Sequence, residues 1–88
     1  AVRIGLANRV LPDEGFLAAA REFAGRIAGK APLSMQLAKE QLNMAAERTF
    51  DAALTAELEA MTFVGTTQDW QEGIDAFAEK RPPVFKGC

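Results

Sequence analysis

An aromatic ring and a lysine one helical turn apart, Phe77 and Lys80, are the residues of this sequence best suited to gripping a ligand. A spacing of three places both on one edge of a helix. Aromatic faces stack on nucleobases such as adenine, and a lysine holds a phosphate as a point charge, so the pair suits a nucleotide-bearing ligand. A competing reading puts Phe77 in the core, continuing the apolar stripe of Trp70 and Ile74, with Lys80 as a solvated charge at the helix end. Residue chemistry alone favours that second reading, because apolar residues at helical spacing are core far more often than ligand contacts.

Catalytic constellations are scarce. General acid–base chemistry needs two titratable groups converging on one substrate atom in a water-poor pocket. Glu57 and Glu59 lie two positions apart, about 200° around a helix, and do not converge. Asp69, Glu72, Asp75 and Glu79 do follow one side of a helix at steps of three and four, yet carboxylates are rarely buried unless paired, so a solvated face is the expectation. The sequence has no histidine, which excludes a Ser-His-Asp triad, a Cys-His pair and a histidine metal site. Neither Gly25-Arg26-Ile27-Ala28-Gly29-Lys30 nor Gly65-Thr66-Thr67 has the spacing of a phosphate-binding loop. Ser34, the only serine, lacks the Asp-Ser-Leu context in which an acyl carrier holds phosphopantetheine. Cys88 closes a tail beyond Pro83, where order is usually poor, and nothing nearby in sequence activates its thiol.

The elements that would position Phe77 and Lys80 follow from hydrophobic periodicity. Val2 to Leu11 mix β-branched and apolar residues with Gly5 and Asn8, which predicts a short extended segment. Pro12-Asp13-Glu14 signals a helix start with Asp13 as cap. Phe16, Leu17, Ala20, Phe23, Ala24, Ile27 and Ala28 then form one helical stripe, with Glu22 and Arg26 as an exposed i,i+4 pair and Gly29 as the stop. Pro32 suits the first turn of a second helix whose buried side carries Leu33, Leu37, Ala38, Leu42, Ala45 and Ala46. A break near Arg48-Thr49 precedes a third helix with Phe50, Ala53, Leu54, Leu58 and Met61, widened by Phe63 and Val64. After Gly65, either Thr66 with Asp69 or Thr67 alone caps a fourth helix. Gly73 inside that helix costs about 1 kcal/mol relative to alanine, and a close helix approach is the expected compensation. Pro82-Pro83 forbids continuation.

A chain of 88 residues makes one small domain of marginal independent stability. With one cysteine and no metal-ligand cluster, no internal disulfide or zinc site can add to it, so partner surface is the expected remedy. The apolar excess on Phe50, Met61, Phe63 and Val64 points the same way. Ten basic and twelve acidic residues, interspersed, give a net charge of −2 and lack the basic stripe of a nucleic-acid binder. No apolar run reaches the length of about 20 residues that a membrane span needs. A soluble, cytoplasmic protein with neither a nucleic-acid nor a membrane partner is expected.

The run Glu72-Gly73-Ile74-Asp75-Ala76-Phe77-Ala78-Glu79-Lys80-Arg81-Pro82-Pro83-Val84-Phe85-Lys86-Gly87 closely resembles the carboxyl end of enoyl-CoA hydratase/isomerase (crotonase) family enzymes. Ile4-Gly5-Leu6-Ala7-Asn8-Arg9-Val10, Lys30-Ala31-Pro32-Leu33 and Leu37-Ala38-Lys39-Glu40 match the family in the same order and spacing. The resemblance implies an all-α domain of four short helices, like the C-terminal trimerisation domain of such enzymes. Residues 1–12 would lead in from an N-terminal catalytic domain, and residues 13–88 would form the helical oligomerisation domain. It also implies a homo-oligomer, a trimer or dimer of trimers, acting on acyl-CoA thioesters in fatty acid metabolism. Coenzyme A would arrive as part of the substrate, with no tightly bound cofactor. Phe77 and Lys80 match the Phe and Lys that reach the adenine and phosphate end of CoA in that family, which reverses the preference drawn from residue chemistry. The family's oxyanion hole and catalytic glutamates would lie upstream of Ala1, so no residue here is expected to be catalytic. Hydratase and isomerase members share this kind of ending, and the reaction stays open between them. A stand-alone helical interaction module is the alternative.

Overall fold

The computed structural model describes residues 1–88 and contains four α-helices and no strand. The first residues form a 3₁₀ turn, Val2–Ile4, closed where Gly5 N–H donates to the Val2 carbonyl at 3.0 Å. The expected extended conformation is thus absent from the start of the lead-in. An isolated strand has no ladder partner in this chain, and local turn bonds satisfy its backbone groups instead.

Helix α1 spans Phe16–Ala28. It begins at Gly15, with φ at 73° and no side-chain cap, rather than at Asp13. The Asp13 carbonyl accepts from Phe16 N–H at 3.2 Å, so Asp13 and Glu14 are spent on a turn whose left-handed corner glycine occupies. Helix α2, Pro32–Met44, starts on proline, and α3, Phe50–Val64, starts where Thr49 Oγ1 accepts from Ala52 N–H at 3.3 Å. Helix α4 spans Gln68–Glu79 and is capped by Thr67, whose Oγ1 accepts from Trp70 N–H at 3.2 Å. Thr66 is committed to finishing α3, its hydroxyl donating to the Phe63 carbonyl. Across the α2–α3 hairpin, Arg48 Nη1 donates to Gln41 Oε1 at 2.7 Å.

These helices lie in an open layer. The radius of gyration is 16.4 Å, against about 12 Å for a compact domain of this length. Accessible surface is 7367 Å², roughly 2,300 Å² more than a compact 9.5 kDa monomer exposes. Only Asp69 and Ala76 are buried. Leu42 and Phe50 stand exposed along an apolar groove of about 680 Å³ between α2 and α3. No helix is long and apolar enough to cross a membrane.

Candidate functional site

Helix α4 ends in a paired-bond stop. Lys80 N–H donates to the Phe77 carbonyl at 3.3 Å and Arg81 N–H to the Ala76 carbonyl at 3.0 Å, the Schellman pattern. Its left-handed position belongs to Lys80, with φ at 56° and ψ at 38°. Lys80 is the one non-glycine residue of the chain at positive φ, where a side chain costs about 1–2 kcal/mol. Lys80 therefore stands on the turn that leaves the helix, and the expected placement of both residues on one helical face does not hold. Helix α4 has ended before Pro82-Pro83, which only directs the exit.

Phe77 is 87% exposed, so the reading that buried it behind Trp70 and Ile74 is overturned. Its ring borders a depression of about 460 Å³ that also involves Trp70, Ile74, Ser34 and the tail residue Phe85. Ala76, its neighbour, is almost fully buried. Helix α4 thus faces the chain through Ala76, while the stripe of Trp70 and Ile74 is half-exposed and Phe77 stands in solvent.

Beyond Lys80 the tail turns back along α4. Val84 N–H donates to Glu72 Oε1 at 2.7 Å, and Lys86 and Gly87 N–H donate to the two carboxylate oxygens of Asp69 at 2.7 Å each. Asp69 N–H in turn donates to the Cys88 carbonyl at 3.1 Å. Contacts to earlier α4 residues come from later tail residues, so the return is antiparallel. Arg81 adds a two-pronged bond to Glu72, 2.6 Å from Nη1 to Oε1 and 2.9 Å from Nη2 to Oε2, and a bond from Nε to Glu79. Hydrogen bonds from the Arg81 guanidinium and then from Val84 N–H lower the Glu72 carboxyl from its ordinary 4.5 to about 2, and Glu72 and Glu79 raise the Arg81 guanidinium.

Three expectations change here. Asp69 and Glu72 are anchors for backbone rather than members of a solvated face, leaving Glu79 exposed and Asp75 half-buried, where it accepts from Gln71 Nε2 at 2.8 Å. The tail to Cys88 is fastened along its length. Gly73 faces the Phe85 ring, 3.8 Å from where a Cβ would stand, rather than another helix. Sequence reasoning missed Asp69, Glu72 and Arg81 as a unit, although a Pro-Pro reversal aimed back at carboxylates one turn apart was the available signal. The expected Glu22–Arg26 pair is also absent, since Arg26 and Arg9 both lie over the Phe23 ring, at 5.6 and 5.2 Å.

Chemically this end of the molecule offers an exposed aromatic face and a lysine whose backbone is fixed in a turn, and no acid–base pair converges on the adjoining depression.

This all-α fold is shared with known proteins. The family model for Enoyl-CoA hydratase/isomerase matches residues 1–88. The chain is 38% identical over 87 residues to a 2,3-dehydroadipyl-CoA hydratase of Escherichia coli, covering 99% of this chain and 34% of that one. It is 39% identical over 85 residues to a crotonyl-CoA hydratase of Syntrophomonas wolfei, covering 97% and 33%. The crystal structure of an enoyl-CoA hydratase from Bacillus anthracis superposes with a TM-score of 0.92 at 35% identity, over 100% of this chain and 34% of that chain. The chain belongs to the enoyl-CoA hydratase/isomerase family. It spans about a third of the length of the curated relatives it matches.

Proposed function

We propose that this chain is the helical C-terminal part of an enoyl-CoA hydratase/isomerase-like enzyme acting on acyl-CoA thioesters, as the names of its relatives suggest. Residues 1–12 form the lead-in from a catalytic domain and residues 13–88 the oligomerising arm. The parent assembles as a homo-oligomer, a trimer or dimer of trimers, and works in cytoplasmic fatty acid metabolism. Its role in this reading is twofold. The open α2–α3 layer is completed by neighbouring protein, and the end of α4 supplies one edge of the CoA site.

The observation that carries the site is an exposed Phe77 ring three residues before a lysine held in a strained left-handed turn. Such strain persists where the surrounding structure over-determines it, and it clusters at functional positions. Phe77 stacks on the adenine and Lys80 draws a phosphate of CoA, which enters as part of the substrate with no tightly bound cofactor. Proton transfer and stabilisation of the thioester enolate belong to groups outside these residues, since oxyanion donors must be aimed at the reacting carbonyl. Residues 1–88 alone are therefore inactive.

Phe77→Ala and Lys80→Ala in the full-length enzyme test this reading. Each raises KM for an acyl-CoA by about tenfold, the size of one lost base stack or charge-assisted phosphate contact. Unchanged KM in both overturns the contacts and leaves an interaction module, for which the apolar α2–α3 groove is then the working surface.

A further inference from the structure

Asp69 and Glu72 do none of the work so far assigned to the end of α4, yet they make its most concentrated set of polar contacts. Between them they accept three tail N–H groups, from Val84, Lys86 and Gly87, each at 2.7 Å. Glu72 further takes both outer nitrogens of Arg81. Arg81 directly follows Lys80, and its own N–H closes the turn onto the Ala76 carbonyl. Lys80 is thus bracketed. On one side lies the last turn of α4, on the other a residue whose main chain and guanidinium are both tied back to that helix.

We propose that Asp69 and Glu72 are positioning residues for the ligand-binding lysine: by strapping residues 81–88 antiparallel along α4, they hold Lys80 in its left-handed turn and fix the direction of its ammonium. This rests on the reading of Lys80 as a CoA contact. A lysine at that turn has strained backbone, and an unfastened tail lets φ relax to negative values, which redirects the side chain. Glu72 acts on the residue adjacent to Lys80 and Asp69 on the far end of the strap. Loss of Glu72 is therefore the more damaging of the two.

A double-mutant cycle in the full-length enzyme separates positioning from general support. Glu72→Ala is expected to raise KM for an acyl-CoA by about fivefold, more than it lowers kcat, and this KM effect is expected to shrink below about twofold in a Lys80→Ala background. Asp69→Asn follows the same pattern with a smaller effect. Should Glu72→Ala fail to assemble, Glu72→Gln, which keeps an acceptor for Val84 N–H and loses the charge that holds Arg81, takes its place in the cycle. A Glu72 effect on KM that is equally large without Lys80 assigns the strap a structural role only and overturns the proposal, as does no effect at all. Unchanged KM in the Lys80→Ala single variant overturns the underlying CoA reading, whereas a raised KM there with a Glu72 effect that is absent or undiminished by the second substitution overturns the strap alone.

Discussion

Glu72 holds Arg81 in a two-pronged ion pair across the turn that ends α4, with the shorter prong at 2.6 Å. Arg81 is 37% and Glu72 23% exposed at the side chain, and an exposed pair by itself contributes little to stability. The same carboxylate also accepts Val84 N–H, so charge and backbone capture act on one group. That combination lowers its pKa to about 2.

The sign of the resulting pH dependence follows. A carboxyl whose folded pKa lies below its unfolded value contributes stability that is fully present above the unfolded value and is lost as pH falls through the folded one. For Glu72 the window runs from about 4.5 down to about 2. Melting temperatures of the parent and its Glu72→Gln variant should differ by a constant amount above about pH 5 and converge only toward about pH 2. Convergence already complete near the ordinary carboxyl value would show that Arg81 and Val84 do not hold Glu72 in solution.

Substitutions at Lys80 separate stability from the proposed binding role. Lys80→Gly places at the left-handed position the residue that tolerates it, and should stabilise the helix stop by about 1 kcal/mol. Lys80→Ala keeps most of the strain and removes the ammonium. Thermal melts should rank glycine above lysine, with alanine near lysine, while KM rises in both variants. A glycine variant less stable than the parent would mean that the left-handed turn carries no strain.

Phe77 and Ala76 are neighbours with opposite surroundings, 87% against 2% exposed. Phe77→Ala should change stability by less than about 0.5 kcal/mol, as surface substitutions do, and act on KM. Ala76→Leu should cost about 1–3 kcal/mol by overpacking with KM unmoved in the fraction that stays folded. Denaturant unfolding of the two variants side by side checks the contrast.

Much of this architecture is legible in the residues. Gly29, Pro32, Thr49, Gly65 and Thr67 mark helix ends in the sequence and mark them in the structure, because caps act on backbone groups within one turn and need no tertiary context. Asp13 fails as a cap because Gly15, two residues on, takes the left-handed corner first. What the sequence hides is long-range. Asp69 meets Gly87 across eighteen positions, and no local periodicity distinguishes a carboxylate that captures tail amides from one that faces water. The exposure of Phe77 is equally non-local, since a helical stripe says which residues share a side and not which of them finds a partner.

The apolar groove between α2 and α3 is left open by the chain's own packing. Leu42 is 76% and Phe50 80% exposed on its walls, and the chain exposes roughly 2,300 Å² beyond a compact monomer. Obligate interfaces bury about 2,000–5,000 Å² in total, so the surplus suffices to form one. A charge introduced there has little of the chain's own core to disturb and would break the proposed assembly. In the full-length enzyme, Leu42→Asp and Phe50→Asp should lower the oligomeric mass measured by sedimentation, whereas Arg21→Asp, on an exposed position of α1 outside the groove, should leave it unchanged. Should the two groove variants keep the parent's mass, the groove does not face a subunit, and the proposed oligomerising role of this surface is overturned.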